Sequence, residues 1–445
     1  MLRKLILLSA MTLIFTMTAC TGSKSGNEAP TFSDQTVQSQ VDDLLDKIDD
    51  NPSNSEYRLQ LAQIYHENGQ SLEALKLLEE GLALDPNDVE LKFKYGEIAE
   101  EKGDMRRAFT AYKEVLQSAS GNDYLDRIAP KFTDAFVVTP LVNSPANEAF
   151  GSFNGDGSKI IYQADPDGNW DLFEYTLGDT ASTRLTQTPY HEENPAFNPN
   201  GEEIVYTSTE EDTRDVEYSQ LVRDIYLWNL TKNRKTNLTQ NSSDDWLPRY
   251  SENGQVISFI SERDDLSEAR FDQLLSEVYV MENDGRFQHR VTHNDSEDGG
   301  AVVAPGSDKD QGTLYYDNNA SGVFEIYKND YTGKNERQIT FNPSANDLSP
   351  DISANGDKIV FFSDRDGNYE LYLMNSDGSV PVRLTSNPGN DLNPVFSPDG
   401  TKILFHSNRA GNYDLYLMDL SRQNTGAVLY DVLNSIDQAL NALNK

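Results

Sequence analysis

A unit of about 44 residues recurs through the C-terminal two-thirds of this 445-residue chain. Two clear copies are SPDISANGDKIVFFSDRDGNYELYLMNSDG and NPVFSPDGTKILFHSNRAGNYDLYLMD, whose turn glycines, Gly356 and Gly400, lie 44 positions apart. Gly157, Gly201 and Gly254 mark three earlier copies, and a degenerate copy follows the last of them. Each copy reads as short strands separated by turns. A repeat of this length with four strands per copy predicts the blades of a β-propeller.

Six innermost-strand segments occur, so we expect six blades over residues 134–421. The last copy lacks an outermost strand of its own after YDLYLMDL. The stretch FVVTPLVNSPANEAF precedes the first copy and resembles VPVRLTSNPGNDLNPVF, so it can supply that strand. An N-terminal strand that completes the last blade would leave no open sheet edge.

The pattern PxFSPDGxxIxFxS followed by LYxM resembles the TolB-like, WD40-like propeller family over about two-thirds of the chain. The resemblance implies a binding platform in the periplasm, and some members of the family couple the propeller to a hydrolase or a lyase. Only a short segment follows residue 421, and the G-x-S-x-G motif of a serine nucleophile is absent. The five histidines are scattered, and only His289 and His293 are close in sequence. We therefore expect no catalytic residue.

A second period, of 34 residues, lies ahead of the strands. Small residues and prolines repeat at this spacing: Ala62 and Gly96, Gly69 and Gly103, Ala74 and Ala108, and Pro52 and Pro86. The pattern resembles the tetratricopeptide repeat. We expect an all-α domain of two and a half repeats over residues 36–122, a connector over 123–133, and then the all-β six-bladed propeller. The groove of the repeats would suit a peptide or a partner helix; the alternative is that so short an array only packs on the next domain.

The first twenty residues, MLRKLILLSAMTLIFTMTAC, read as a secretory signal. The apolar run over residues 5–15 is too short to span a bilayer comfortably. MTAC resembles the lipobox of bacterial lipoproteins and makes Cys20, the single cysteine, the lipidation site; the alternative is a cleaved signal with an accidental cysteine. We expect a lipoprotein signal peptide over 1–19 and a flexible tether over 20–35. By the sorting rule of that class, Thr21 implies an outer-membrane anchor facing the periplasm.

The chain is strongly acidic. It has 73 acidic against 37 basic residues, and its formal net charge is -36. This excess repels nucleic-acid phosphate and anionic lipid head groups and favours cationic partners or metal ions. Acidity of this kind also serves solubility alone. The charge therefore excludes nucleic acid as a partner more firmly than it names another.

Comparison of the copies with one another separates two kinds of acidic residue in NDLNPVFSPDG. Asp399 is replaced by asparagine in three other copies, ahead of an unvarying glycine, as a tight turn requires. Eight positions earlier every copy keeps a carboxylate: Glu148, Glu192, Asp245, Asp298, Asp347 and Asp391. We expect these six at one mouth of the central channel, where they hold a cation or a basic side chain of a partner. The alternative is that each caps a backbone N–H and stabilises the crossover between blades.

Two short motifs have the appearance of calcium loops. DPDGN and DRDGN, at residues 165–169 and 364–368, carry oxygen ligands at alternate positions. The last copy reads NRAGN at the same place, and a bidentate glutamate is missing downstream. Tight turns rich in Asp, Asn and Gly account for the motif without metal. We expect no metal site and no cofactor, with a cation such as calcium at the channel mouth as the alternative.

Two adjacent copies carry long loops between their second and third strands, over residues 209–224 and 262–277. The strand order puts these loops on the same face as the six acidic positions. Aromatic and arginine side chains are the types that anchor interfaces, and the loops contain Tyr218, Arg223, Arg270 and Phe271. We expect these loops, beside the acidic mouth, to form the binding face.

The C-terminal stretch GAVLYDVLNSIDQALNALNK spaces leucine and isoleucine at alternating intervals of four and three residues. This predicts an amphipathic helix within residues 425–445. It could dimerise, but we expect it to pack within the chain, against the unpaired helix at 37–50.

Together these features predict a non-catalytic, periplasm-facing lipoprotein that acts as a protein-protein interaction scaffold in envelope assembly, secretion or transport. Its partners would be envelope proteins or peptides with basic segments, and the lipid anchor would hold it at the membrane. The alternative is a propeller enzyme or a carbohydrate-processing accessory acting at the channel mouth. A buried His-Asp-Arg cluster in the channel would favour that alternative.

Overall fold

The computed structural model describes residues 29–265 and 274–443. Three predicted site residues, Cys20, Arg270 and Phe271, lie outside the described residues.

The chain divides into two compact units. Met1–Ile128 and Ala439–Lys445 belong to the first, and Ala129–Gln438 forms the second. The described part of the first unit is helical, and the second is built mainly of strands. The predicted order, an all-α repeat followed by an all-β domain, is confirmed.

Six helices, joined by short turns, run through residues 29–128 of the first unit: α1 Gln35–Asp50, α2 Ser55–Glu67, α3 Ser71–Leu84, α4 Val89–Glu101, α5 Met105–Leu116 and α6 Gly121–Ile128. Polar residues begin several of them because the first turn of a helix leaves backbone N–H groups unbonded. Asp88, for example, accepts a hydrogen bond from the backbone N of Leu91 at 2.9 Å. The local sequence therefore sets where these helices start.

The 34-residue period marks the places where the helices touch. Its three alanines, Ala62, Ala74 and Ala108, are completely buried. A Cβ added to Gly96 would lie 2.7 Å from Cε1 of Tyr112, so only glycine lets α4 and α5 approach this closely. The prediction of a tetratricopeptide-type repeat is thus confirmed by its packing.

The second unit contains six four-stranded antiparallel sheets, the blades. Blades 1 to 5 each use four consecutive strands, and blade 6 uses the last three strands and the first. The strands are β1 Phe136–Val142, β2 Glu148–Phe153, β3 Lys159–Ala164, β4 Asp171–Thr176, β5 Thr183–Arg184, β6 Glu192–Phe197, β7 Glu203–Ser208, β8 Asp224–Asn229, β9 Arg234–Asn237, β10 Asp245–Tyr250, β11 Val256–Ser261, β12 Glu277–Glu282, β13 His289–Arg290, β14 Asp298–Val303, β15 Thr313–Asn318, β16 Glu325–Asp330, β17 Arg337–Gln338, β18 Asp347–Ile352, β19 Lys358–Ser363, β20 Glu370–Asn375, β21 Val382–Arg383, β22 Asp391–Phe396, β23 Lys402–Ser407 and β24 Asp414–Gln423. Short 3₁₀ helices occupy Ala129–Lys131 and Tyr218–Gln220.

The N-terminal strand closes the ring. Blade 6 has the order β1-β24-β23-β22, with Val138 opposite Met418. The prediction that the segment ahead of the first copy completes the last blade is confirmed. Closure in this way pairs the outer edge of β24, which would otherwise be free to pair with another chain.

An aromatic pair stacks or tilts together inside every blade, between its second and third strands. The pairs are Tyr162 and Phe173, Tyr206 and Tyr226, Phe259 and Tyr279, Tyr316 and Tyr327, Phe361 and Tyr372, and Phe405 and Tyr416, with ring centroids 5.4 to 6.1 Å apart. Cross-strand aromatic pairs stabilise a sheet. This repeated contact accounts for much of the tyrosine content of the copies.

Every innermost strand carries a bulge at its third residue. These residues are Phe150, Asn194, Leu247, Gly300, Ser349 and Asn393, with φ between +47° and +52°. The register of the strand shifts at this point in all six blades. A β-bulge bends its strand and leaves one residue unpaired in the ladder. Five of these residues are not glycine, so strained backbone surrounds the channel.

The C-terminal helix, α7, spans Leu429–Ala442 and buries Val432 and Ile436 completely. Just beyond it, the backbone O of Leu443 accepts a hydrogen bond from Arg106 of α5 at 2.8 Å. Its expected packing against the helix at 37–50 stays a prediction. Among the helices that the structure describes, none has the length and apolar character needed to cross a membrane.

Candidate functional site

Each of the six predicted acidic residues is the first residue of an innermost strand. All six are at most 2% exposed. The backbone N–H of each donates to a carbonyl just ahead of the third strand of the preceding blade, as Asp391 does to Tyr369 at 2.8 Å. The expectation that these carboxylates open onto a channel mouth is therefore wrong, because the contact between neighbouring blades covers them. They lie inside the blade interfaces.

Side chains, rather than backbone N–H groups, hold these carboxylates. In blades 3, 5 and 6 an arginine in the turn after the second strand donates to the carboxylate, at 2.9, 2.7 and 2.8 Å: Arg263 to Asp245, Arg365 to Asp347, and Arg409 to Asp391. The hydroxyl of Thr188 donates to Glu192 at 2.7 Å. The arrangement fits the alternative that these acids stabilise the crossover between blades. The donors are side chains, whereas backbone N–H groups were expected.

A second set of six acidic residues was not predicted from the sequence. The first residue of the third strand is acidic in every blade: Asp171, Asp224, Glu277, Glu325, Glu370 and Asp414. All are at most 4% exposed. The signal was present in the copies as an acid directly before the apolar pair of DLYLM or ELYLM. Its regularity is the same as that of the first set.

The two sets meet at the blade interfaces. Asn387 shows this most directly, because its backbone N donates to Glu370 of blade 5 at 3.0 Å and its amide donates to Asp391 of blade 6 at 2.8 Å. Burial raises the pKa of Glu192 to about 7 and that of Glu370 to about 8. The nearby carboxyl of Asp391 adds to the rise at Glu370. Each interface thus encloses two carboxyl groups that repel one another when both are ionised.

The loop over residues 209–223 is fastened to the propeller by the residues that were expected to bind partners. The hydroxyl of Tyr218 donates to Glu193. Arg223 bridges Glu193 and Asp244, at 2.7 and 3.0 Å. The ring of His191 lies 4.3 Å from that of Tyr218. These groups form a mutually bonded cluster, and their proposed role as contact residues for a partner stays a prediction.

His191 has a structural counterpart in other blades. The residue directly before the innermost acid is Asn147, Asn346 or Asn390 in three of them, and its side-chain oxygen accepts a backbone N–H of the preceding blade. His191 accepts from Trp170 N in the same way, at 3.3 Å, and burial lowers its pKa. His406 lies in the interior with a pKa lowered by burial to about 3. Neither histidine has the surroundings of a general base at neutral pH.

The DPDGN and DRDGN motifs close turns. Asp165 and Asp364 accept hydrogen bonds through both carboxylate oxygens, from the backbone and side chain of the asparagine that precedes each innermost acid. The amide of Asn169 donates hydrogen bonds to the carbonyls of Thr188 and Tyr190, so these oxygens are already used within the propeller. Within the described residues, no group of three or more His, Cys, Asp and Glu side chains is arranged to hold a metal ion.

A cavity of about 420 Å³ lies in the propeller. Its lining begins at the bulge of the innermost strands and continues past their C-terminal ends, so it opens away from the buried acids. Phe150, Leu247 and Val302 give it apolar walls. One ion pair lies inside it, from Arg249 Nη1 of blade 3 to Asp351 Oδ1 of blade 5 at 3.2 Å. The cavity combines the apolar surface and the few polar groups typical of a binding site.

Asp351 also accepts a hydrogen bond from the backbone. Its other carboxylate oxygen accepts from the backbone N of Phe396 at 2.8 Å, and burial raises its pKa although Arg249 opposes the rise. Beyond the cavity, Asp399 accepts from Ser397 and Thr401 within its own turn, which lowers its pKa to about 2. Its predicted role as a turn former is confirmed.

Comparison with known proteins gives the following matches. A model described as the TolB beta propeller domain matches residues 346–438, and a tetratricopeptide-repeat model matches residues 55–98. The chain is similar in structure to a putative TolB from Agrobacterium tumefaciens, with 19% identity over 62% of this chain and 91% of that chain and a TM-score of 0.46. It is similar to TolB from Acinetobacter baumannii, with 18% identity over 61% of this chain and 65% of that chain and a TM-score of 0.44. It is also similar to oligogalacturonate lyase from Vibrio parahaemolyticus, with 15% identity, 65% and 95% coverage and a TM-score of 0.43.

Identities of this size concern the fold alone. The helical period, the six closed blades and the two matching models agree on one description. The chain consists of tetratricopeptide-type helical repeats followed by a TolB-like six-bladed β-propeller.

Proposed function

We propose that this protein is a non-catalytic scaffold of the bacterial envelope, anchored to the outer membrane through Cys20 and facing the periplasm, that holds other proteins. The cavity of the propeller carries the proposal. Its apolar walls would receive side chains of a partner segment, and the Arg249 to Asp351 pair would fix the orientation of that segment through its charges. The helical repeats supply a second surface suited to a protein partner.

The polar clusters elsewhere in the propeller support a binding role over a catalytic one. His191, Arg223 and Asp244 do form the kind of cluster that would favour an enzyme. However, Arg223 is already paired with two carboxylates, and Asp244 also accepts the backbone N of Arg223. None of the three lines the described cavity. A catalytic group needs access to a substrate, whereas these groups serve one another.

Site-directed crosslinking tests the cavity. A photoreactive residue at Leu247, inside the cavity, should capture a discrete protein in intact envelopes. The same residue at Phe287, which is 71% exposed on a turn of blade 3, should not capture it. Combining the Leu247 probe with Arg249→Met and Asp351→Asn should abolish the product, while Arg286→Met, which breaks a surface ion pair of the same blade, should not. Equal capture from both probe positions would contradict the proposal.

A fractionation experiment tests the anchor separately. Cys20→Ala should move the protein from the membrane to the soluble fraction, and it should abolish incorporation of labelled fatty acid. Retention of the variant in the membrane would refute the anchor but leave the cavity result standing.

A further inference from the structure

The six blade interfaces differ in how they neutralise their two buried carboxyl groups. At five of them a guanidinium donates to at least one carboxyl: Arg184 to Asp171, Arg263 to Asp245, Arg290 to Glu277, Arg365 to Asp347, and Arg383 to Glu370 together with Arg409 to Asp391. The sixth interface joins blade 6 to blade 1 and contains Asp414 and Glu148. Among the described residues, no arginine or lysine bonds to either of these two.

Neutral donors hold the sixth pair. The hydroxyl of Ser144 donates to Glu148, and its backbone N donates to Asp414 at 3.3 Å. The amides of Asn143 and Asn412 donate to Asp414 at 3.2 and 3.4 Å. The second oxygen of Glu148, Oε2, is buried without a hydrogen-bond donor, although the two carboxyl groups lie within hydrogen-bonding reach of each other. The innermost acids of blades 2, 3, 5 and 6 also have one such oxygen. The ring-closing interface differs from theirs because no guanidinium among the described residues offsets its two neighbouring carboxyls.

The local sequence explains the missing cation. In blades 1, 3 and 5 an arginine on the outermost strand pairs with the third residue of the third strand. These arginines are Arg184, Arg290 and Arg383. In blade 6 this place belongs to the closing strand and is occupied by Pro140. The turn that supplies an arginine to Asp347 reads DRDGN, and the turn at the same place in blade 1 reads DPDGN, with Pro166. Proline thus replaces arginine at both places.

We propose that the ring-closing interface is a proton-binding site in which Glu148 and Asp414 share one proton, and that loss of this proton loosens the closing strand. Asp414 accepts hydrogen bonds from Asn143 and Ser144, and Glu148 accepts one from Ser144, in the segment that joins β1 to β2. With both carboxyls ionised, two like charges would face each other in a site that excludes water. Repulsion there acts directly on the connection between the first and last blades.

In the part of the chain that the structure describes, the other titratable groups around the pair do not supply the missing charge. Tyr162 of β3 and Tyr416 of β24 are neutral neighbours, and burial raises the pKa of both. His406 of β23 packs against Tyr413 and Phe150, with its pKa lowered by burial. Arg409, in the turn that follows β23, already pairs with Asp391 and Asp134. A bound proton can therefore take the place of the cation beside Glu148 and Asp414.

The direction of the pH effect follows from the pKa values. Burial, with Asp414 beside it, raises the pKa of Glu148 to about 7, and the pKa of Asp414 is also raised by burial. A carboxyl with a pKa higher in the folded than in the unfolded chain stabilises the fold while protonated. Its contribution is complete below the ordinary glutamate pKa and is lost as the pH rises through about 7. Closure is therefore firmest in mildly acidic solution.

Thermal unfolding tests the proposal in the full chain. Fluorescence reports on the propeller because the three tryptophans, Trp170, Trp228 and Trp246, all lie in it. We expect the wild-type midpoint to fall by roughly 5 °C between about pH 5 and about pH 8. Glu148→Gln, which keeps the shape without the charge, should show a clearly smaller fall. Asp347→Asn should lower the midpoint by a similar amount at both pH values, because it leaves Arg365 unpaired at either one.

A second variant tests the pH dependence independently, in case the first variant misfolds. Glu148→Asp with Pro166→Arg gives blade 1 the acid and the turn of blade 5, and it should also reduce the pH dependence. Hydrogen exchange of residues 136–142 in the wild type should quicken at the higher pH and should stay slow in this variant. Infrared spectra at neutral pH should show a protonated carboxyl band that Glu148→Gln removes. Unchanged pH dependence in both variants, or an unchanged carboxyl band, would overturn the proposal.

Discussion

At the scale of single residues, the propeller uses arginine as a bridge with two functions. Arg365 donates to the buried Asp347 at 2.7 Å, and its guanidinium lies 4.4 Å from the ring centroid of Tyr372. Arg263 and Arg409 repeat this arrangement in their blades. A flat guanidinium can bond to a carboxylate at its edge and stack on a ring with its face, which lysine does less well. A single arginine in each of these blades thus both neutralises the buried acid and covers the aromatic pair.

Removing one partner of such a pair should be more damaging than removing both. Arg365→Met should destabilise the propeller by roughly 3 kcal/mol, because Asp347 keeps its charge in the interior without a counter-ion. The double variant Arg365→Met with Asp347→Asn should recover most of that loss. Urea unfolding followed by tryptophan fluorescence measures the three free energies of unfolding. Additive effects of the two substitutions would contradict this account.

The sequence was informative about repeated residues and silent about their surroundings. Aligned copies revealed the six innermost acids, yet exposure depends on how closely the blades pack, so Asp391 was expected at an open mouth and lies in the interior. The partner Arg409, 18 positions later, could have been found by comparing the copies that have aspartate with the copies that have glutamate. The bulge could not, because Phe150, Asn194 and Leu247 share no side-chain property.

At the scale of elements, the helical unit depends on close approach between neighbouring helices. Gly96 of α4 faces the ring of Tyr112 of α5, whose hydroxyl donates to Glu100 at 2.7 Å. The contact fixes both the distance between the helices and the position of a buried tyrosine. It is the physical reason for one glycine of the 34-residue period.

Gly96→Ala should therefore destabilise the helical unit, by roughly 1 to 2 kcal/mol, although alanine favours helices. The added methyl group would meet the ring of Tyr112 and push α5 outward. Circular dichroism at the helical band, recorded during thermal unfolding, would detect a lower midpoint. Glu80→Ala, at an exposed position of α3, is the control and should leave the midpoint nearly unchanged. A rise of the midpoint for Gly96→Ala would show that the helices can separate freely.

At the scale of the whole molecule, the propeller is a ring joined by one strand from each end. Phe136, which begins β1, lies opposite Gln423, which ends β24, and Asn424 donates to the backbone O of Ala135 at 3.0 Å. The two ends of the ring are therefore neighbours in space. A two-residue hairpin could link them.

A circular permutant uses this proximity. Residues 143–424 joined by Asn-Gly to residues 135–142 should fold into six blades that are each continuous in sequence. Its thermal midpoint should match that of the unpermuted propeller within a few degrees, because the strand pairing is unchanged. The matched control, residues 143–424 without the added strand, should aggregate, since the edge of β24 is exposed. Light scattering and fluorescence distinguish the two, and a soluble, equally stable control would show that the closing strand is dispensable.

The bulges around the channel also bear on how such a molecule can acquire new partners. Phenylalanine, asparagine, leucine, glycine and serine all occupy the same left-handed place in one ring, so the backbone there tolerates many side chains, with no β-branched one among them. Random libraries confined to Phe150, Asn194, Leu247 and Asn393, which line the cavity, would vary its lining and leave the blades intact if valine, isoleucine and threonine are omitted. Gly300 is left out because a Cβ added there would lie 2.3 Å from Oδ2 of Asp317. During evolution, the side chains at these places can therefore change while the propeller fold stays the same.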